Sequence, residues 1–133
     1  MNFDIEIVIR LLVATALGAL VGFQRERAHK PAGLRTHILI SLGSALFTVI
    51  SIYGFSGNGI DQSRVAAGIV TGIGFLGAGV ILHSVRGRVV LGLTTAASIW
   101  ITAAIGMAAG TGMYLIAAIT AVIVFLVLLI PNV

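Results

Sequence analysis

The stretch that decides the fold is residues 68–82, GIVTGIGFLGAGVIL, which carries five glycines in an apolar run without charge. Its segment 72–77 spells G-x-G-x-x-G, which binds phosphates when a strand precedes it, a helix follows and an acidic residue comes about 20 positions later. No Asp or Glu follows Asp61, and the glycines lie midway along an apolar run. The stretch is therefore interpreted as a membrane helix whose glycines let other helices approach closely.

The composition points to an integral membrane protein of one domain, residues 1–133. Hydrophobic residues make up 59% of the chain and charged residues 9%, whereas soluble domains are about 25% charged. The absence of cysteine removes disulfides and thiolate metal sites from consideration. The net charge of +4 is spread over short connections, so no basic face for nucleic acid is indicated.

Five apolar runs have the length of membrane spans: 5–23, 38–54, 65–82, 91–109 and 113–130. A span needs about 17–25 residues, and its backbone groups must be hydrogen-bonded internally. The runs lack the alternation of a barrel strand, so we expect an all-α integral membrane protein, a bundle of about five transmembrane helices.

The orientation follows from the basic residues. The first and third connections are rich in Lys and Arg, whereas the opposite side holds only Arg64 and Arg10. Because basic connections stay in the cytoplasm, we expect the N-terminus outside and the C-terminus in the cytoplasm. The basic residues of these two connections are Arg25, Arg27, Lys30, Arg35, Arg86 and Arg88.

Small residues four positions apart predict close helix packing, and the glycine stretch is expected to be the central packing surface. The spacing leaves open whether this surface faces its own chain or a second copy in a homodimer. A partly unwound helix lining an ion site is the alternative. The glycines expected at helix contacts are Gly18, Gly22, Gly68, Gly72, Gly74, Gly77, Gly79, Gly106 and Gly110.

The carboxylates disfavour cation transport by the chain itself. Asp4, Glu6, Glu26 and Asp61 all lie near span ends or in connections, whereas magnesium sites usually contain one or two carboxylates. Glu6 stands four residues before Arg10, a spacing that favours an ion pair. The residues indicate no catalytic group, no metal site and no cofactor.

Two polar segments, one before the second span and one before the fourth, are expected to meet on the cytoplasmic side. Arg35 is the residue expected to reach threonine hydroxyls or carbonyls there. Glu26 is expected to pair with Lys30 if the first helix continues that far. The candidate cluster consists of Arg25, Glu26, Arg27, Arg35, Thr36, His37, Thr94 and Thr95.

Four separated motifs resemble one family over nearly the whole chain. They are QRER with PAGLRTH (24–27 and 31–37), GIGFLGAG (72–79), GLTTAAS (92–98) with Trp100, and Ala104-Ile105-Gly106. In this order and spacing the chain resembles the hydrophobic membrane domain of the MgtC/SapB family of bacterial membrane proteins.

The resemblance implies a multi-pass, non-enzymatic protein of the bacterial inner (plasma) membrane, associated with magnesium homeostasis and intracellular survival. It further implies action on other membrane proteins, the F-type ATP synthase among them, with a magnesium or other cation transporter as the alternative. Longer members carry a soluble C-terminal domain, which this chain is expected to lack.

Overall fold

Five helices make up most of what the computed structural model describes, namely residues 2–83, 85–86, 89–90 and 92–131. This confirms the predicted all-α bundle. A short antiparallel hairpin, which was not predicted, lies between the third and fourth helices. The elements are α1 (Phe3–Arg27), α2 (Leu34–Tyr53), α3 (Arg64–His83), β1 (Val85–Arg86), β2 (Val89–Val90), α4 (Leu93–Gly110) and α5 (Tyr114–Leu128).

The first four helices are long and apolar enough to cross a membrane. The fifth is also apolar but has 15 residues. At about 1.5 Å per residue it measures about 22 Å, less than the hydrocarbon core of about 30 Å. Four of the five predicted spans therefore reach full length, and α5 is a shorter apolar helix.

The connection between α1 and α2 is shorter than the sequence indicates, because α1 continues to Arg27. The chain then turns through His29, whose φ is +56°. Since the helix ends before Lys30, that side chain does not lie one helical turn after Glu26. Among the described residues the predicted Glu26–Lys30 ion pair does not form.

The start of α3 depends on a hydroxyl of α2. The Ser51 hydroxyl accepts from the Ala66 amide (3.2 Å) and donates to the Gln62 carbonyl (2.5 Å). Asp61, in the connection before α3, accepts from the Ser63 amide and hydroxyl at 2.9 and 2.7 Å. These hydrogen bonds from Ser63 lower the pKa of the Asp61 carboxyl. The cap therefore comes from a neighbouring helix, which sequence proximity does not reveal.

The centre of the bundle is formed by α1, α2 and α4, which all contact one another. α5 packs on α1 and α4, whereas α3 packs on α4 and, less extensively, on α2. Alanines fill much of the core between α1, α2, α4 and α5, so the helices approach closely. The fully buried ones are Ala14, Ala45, Ala109, Ala117 and Ala121.

Glycines let α1 and α4 reach the α2 backbone from two sides near Ser41. A Cβ atom on Gly18 would lie 2.7 Å from the His37 carbonyl oxygen, and one on Gly106 would overlap the Ser41 carbonyl oxygen. One turn further along each helix, Gly22 meets Leu34 and Gly110 meets Ala45 in the same way. These four positions have no room for a side chain.

The α3 glycines have different surroundings, and the prediction that their stretch is the central packing surface is wrong within this chain. Among the described residues nothing lies within 4 Å of a Cβ built on Gly68, Gly72, Gly74 or Gly79. Gly77 makes an ordinary contact with α4, 3.6 Å from the Ala96 Cβ.

α3 packs through a different face. Its buried residues include Ile69, Ile73 and Gly77, at successive intervals of four, so most of its glycines point elsewhere. The helix is unbroken from residue 64 to residue 83. The alternative of a partly unwound α3 is therefore wrong.

Candidate functional site

A buried arginine links α1 to the first turn of α4. Arg25 is 3% exposed, and its Nη2 donates to the Thr95 hydroxyl at 2.7 Å. The sequence assigned this contact to Arg35, which is instead exposed on the first turn of α2. Because α1 stays helical to Arg27, its inner face carries Arg25 to α4.

A buried histidine links α2 to α4 beside this pair. His37 is fully buried, with Nδ1 2.8 Å from the Gly33 carbonyl oxygen and Nε2 2.9 Å from the Ser98 hydroxyl. The same hydroxyl donates to the Thr95 carbonyl at 2.7 Å. When only Nδ1 carries a hydrogen, Nε2 is an acceptor and competes with the Thr95 carbonyl for the hydrogen of the Ser98 hydroxyl. When both ring nitrogens carry a hydrogen, Nε2 donates to the Ser98 oxygen.

The other members of the predicted cluster lie further out. Glu26 is exposed, and its Oε1 lies at the long limit of a hydrogen bond, 3.5 Å from the Leu34 amide at the start of α2. Arg27 places its guanidinium 5.6 Å from the centre of the Phe23 ring. Besides Arg27, the exposed members with no side-chain hydrogen bond in the described part of the chain are Arg35, Thr36 and Thr94. The structure thus brings together Arg25, His37 and Thr95.

A line of buried hydroxyls continues from this site along α2. We call Ser41, Ser44, Thr48 and Ser51, with Ser98 and Thr102 of α4, the hydroxyl seam; all six are buried. The signal in the sequence that could have indicated this seam is the spacing of its α2 hydroxyl residues, which alternates between three and four positions.

The hydroxyl seam is closed rather than hollow. Thr48 donates to the Ser44 carbonyl at 2.7 Å, and Thr102 donates to the Ser98 carbonyl at 2.6 Å. Both bonds stay within one helix, and Gly106 holds the two backbones in contact at Ser41. Thr48, Ser98 and Thr102 therefore donate within their own helices. The Ser41 Oγ, where α2 and α4 touch, is buried without a hydrogen-bond partner in the described part of the chain.

A second polar cluster lies at the opposite end of the bundle. Arg10 Nε is 3.2 Å from Glu6 Oε1, which is the predicted pair, and Arg10 Nη1 donates to the Gly110 carbonyl at 3.1 Å. Tyr114 donates its hydroxyl to the same Glu6 oxygen at 2.8 Å. A cation at the C-terminal end of α4 is favourable. Arg10 thus joins α1 to α4, a contact that the sequence did not indicate.

Metal ligands do not converge in the part of the chain that is described, where no three His, Asp or Glu residues could share an ion. Of the histidines, His37 is buried and His29 is exposed. The side chains of His83 and Arg86, and all of Arg88, lie outside the described residues.

Comparison with known proteins gives a consistent set of relatives. The MgtC family model matches residues 11–133. YhiD of Escherichia coli (strain K12), provisionally named a magnesium transporter, is 50% identical over 129 residues, 92% of this chain and 59% of that protein.

Two further relatives show the same pattern. MgtC of Brucella abortus (strain 2308) is 46% identical, over 86% of this chain and 46% of its own length. SapB of Bacillus subtilis (strain 168) is 42% identical, over 84% of this chain and 50% of its own. The chain thus spans about half the length of the curated relatives it matches. No solved structure matches it.

Proposed function

Because the chain belongs to the MgtC family, as its four motifs predict, we propose that it is a non-enzymatic protein of the bacterial inner membrane that serves adaptation to low magnesium and intracellular survival. It acts by contact with other membrane proteins, with the F-type ATP synthase as the proposed partner, and does not itself carry magnesium. The family match and the four long apolar helices support a magnesium-related, multi-pass membrane protein.

The closed hydroxyl seam is the observation that carries the proposal. A carrier needs an open path lined by oxygen ligands, whereas the backbones of α2 and α4 touch at Ser41, within the seam. Gly106 leaves no space between α2 and α4. At the end of the seam stands the buried guanidinium of Arg25, which repels a divalent cation in a medium of low dielectric constant.

The surface proposed for protein contact is the α3 face, which we define as Gly68, Gly72, Phe75 and Gly79. Their spacing puts them on one side of the helix, and Phe75 is 81% exposed. In lipid, small residues permit close backbone contact between helices. A helix of a partner subunit could approach the α3 backbone at this face as closely as α1 and α4 approach the α2 backbone.

The proposal is tested by co-purification with the ATP synthase and by ATP-driven proton pumping in inverted membrane vesicles. We expect the wild type to co-purify and to reduce pumping, and Gly72→Leu to lose both effects. Gly43→Leu is the matched control, because a Cβ at Gly43 on α2 also meets nothing within 4 Å. Unchanged pumping with no co-purification would contradict the proposal, as would equal effects of the two variants. A second copy bound at this face would appear as a homodimer that Gly72→Leu dissociates.

Transport is the second candidate, favoured by the provisional name of the YhiD relative. The hydroxyl seam would then be the path, with α2 and α4 separating to admit the ion. Magnesium uptake into sealed liposomes would depend on Thr102, which lies midway along α4.

A further inference from the structure

A cavity of about 420 Å³ lies where the C-terminal ends of α1 and α5 meet the N-terminal end of α4. Its volume falls within the range of small-ligand sites, about 300–1,000 Å³. Four polar side chains contribute to the lining, two of them cationic: Gln24, Arg25, Lys30 and Thr94.

Arg25 brings a positive charge to this cavity that the described part of the chain does not neutralise. Its side chain is almost fully buried, its one hydrogen-bond partner is the neutral Thr95 hydroxyl, and its Nε has none among the described residues. All four Asp and Glu side chains lie in the described part of the chain, and none is within ion-pair distance of Arg25. A buried charge without a counter-charge is costly. An anion in the cavity would offset that cost.

Gln24 provides a second unpartnered polar group. It is 9% exposed, and its Nε2 donates to the Leu128 carbonyl at 2.9 Å. This bond leaves Oε1 facing no donor in the described part of the chain. An amide oxygen is an acceptor, and this one is enclosed by the protein. A turn of the amide towards the cavity would let it accept from a hydroxyl of a negatively charged ligand.

The first turn of α4 adds donors on the same side. Gly92 is the N-cap and provides no side-chain hydrogen bond, so amides of this turn lack a capping side chain. Thr94, in that turn, lines the cavity. Helix N-termini favour anions through these amides and through the helix dipole.

We propose that this cavity binds a phosphate group, contacted by Arg25, Lys30 and the first turn of α4, while Gln24 accepts from a hydroxyl of the same ligand. The phosphate is either the headgroup of an anionic phospholipid such as phosphatidylglycerol or free hydrogen phosphate. Apolar residues of α5 and of the segment after it also line the cavity, and Val127 and Ile130 are 55% and 68% exposed. They would contact the acyl chains of a lipid. The inference is independent of the proposed protein contacts.

Binding experiments on delipidated protein in neutral detergent distinguish a phospholipid headgroup from free hydrogen phosphate. Phosphatidylglycerol is compared with phosphatidylcholine by native mass spectrometry, and phosphate with chloride at equal ionic strength by thermal unfolding. A lipid site predicts preference for phosphatidylglycerol. A free-anion site predicts a higher unfolding temperature in phosphate. If neither ligand is distinguished from its control, the proposal is wrong.

Two variants locate the site. Arg25→Gln should weaken binding roughly tenfold or more, because charge-assisted hydrogen bonds are lost. Arg27→Gln, with the same change of charge on an exposed neighbour, should stay within about twofold of wild type. Ala28→Trp would fill the cavity at an exposed lining residue, abolishing binding while leaving the ligand-free unfolding temperature unchanged.

Equal losses in the two arginine variants would indicate diffuse charge attraction and overturn the proposal, as would wild-type binding by Ala28→Trp. The latter variant decides the matter if Arg25→Gln does not fold.

Discussion

At the scale of single residues, two glycines of this chain that look alike in sequence have opposite surroundings. Gly106 and Gly72 both belong to a G-x-x-x-G pair within an apolar run. A methyl group on Gly106 would overlap the α2 backbone at Ser41, whereas one on Gly72 would meet nothing in the described part of the chain.

We expect Gly106→Ala to destabilise the folded protein by about 1–3 kcal/mol, the usual cost of overpacking. Gly72→Ala should be neutral or stabilising by up to about 1 kcal/mol, since alanine is the better helix former. Unfolding of both variants in detergent, followed by circular dichroism, measures the difference. A loss of stability in Gly72→Ala as large as that in Gly106→Ala would contradict the assignment of these contacts.

The sequence predicted which glycines can lie at helix contacts better than it predicted which helix each glycine contacts. The G-x-x-x-G spacing identifies positions where backbones can meet, but which backbone arrives depends on tertiary packing. The arginines show the same limit. Arg25 and Arg35 both belong to the predicted polar cluster, and only the extra helical turn at the end of α1 decides that Arg25 faces Thr95.

At the scale of elements, the end of α2 and the start of α3 form one unit through Ser51. Ser51→Ala removes the acceptor of the Ala66 amide and the donor to the Gln62 carbonyl. We expect a loss of about 1 kcal/mol, comparable to loss of an N-cap, and faster amide exchange in the first turn of α3. Ser56→Ala, at an exposed position in the same connection, serves as the control. Unchanged exchange at residues 64–67 would contradict this role of Ser51.

The helices themselves were predictable because long apolar runs have few folds available in a membrane. The residues at which the helices begin and end were less predictable. α1 extends four residues past its predicted run, and two polar residues of this last turn, Gln24 and Arg25, are buried on the inner face. The position of α3 at the edge of the bundle was not visible in its composition, which is apolar on every side.

At the scale of the whole molecule, the excess of basic residues in the first connection supports a cytoplasmic location for that side. The chain has no cysteine, so single cysteines can be introduced one at a time. We expect Ser56→Cys, between α2 and α3, to react with a membrane-impermeant maleimide in intact cells. Lys30→Cys, between α1 and α2, should react only after permeabilisation. The reverse pattern would show the opposite orientation.

The central claim is that the seam between α2 and α4 is a packing contact and not a path for ions. Its most direct test is magnesium uptake by sealed liposomes that contain the purified protein and a trapped magnesium indicator. The closed seam predicts uptake equal to that of protein-free liposomes, for the wild type and for Thr102→Val alike. Saturable uptake by the wild type that Thr102→Val abolishes would contradict the account.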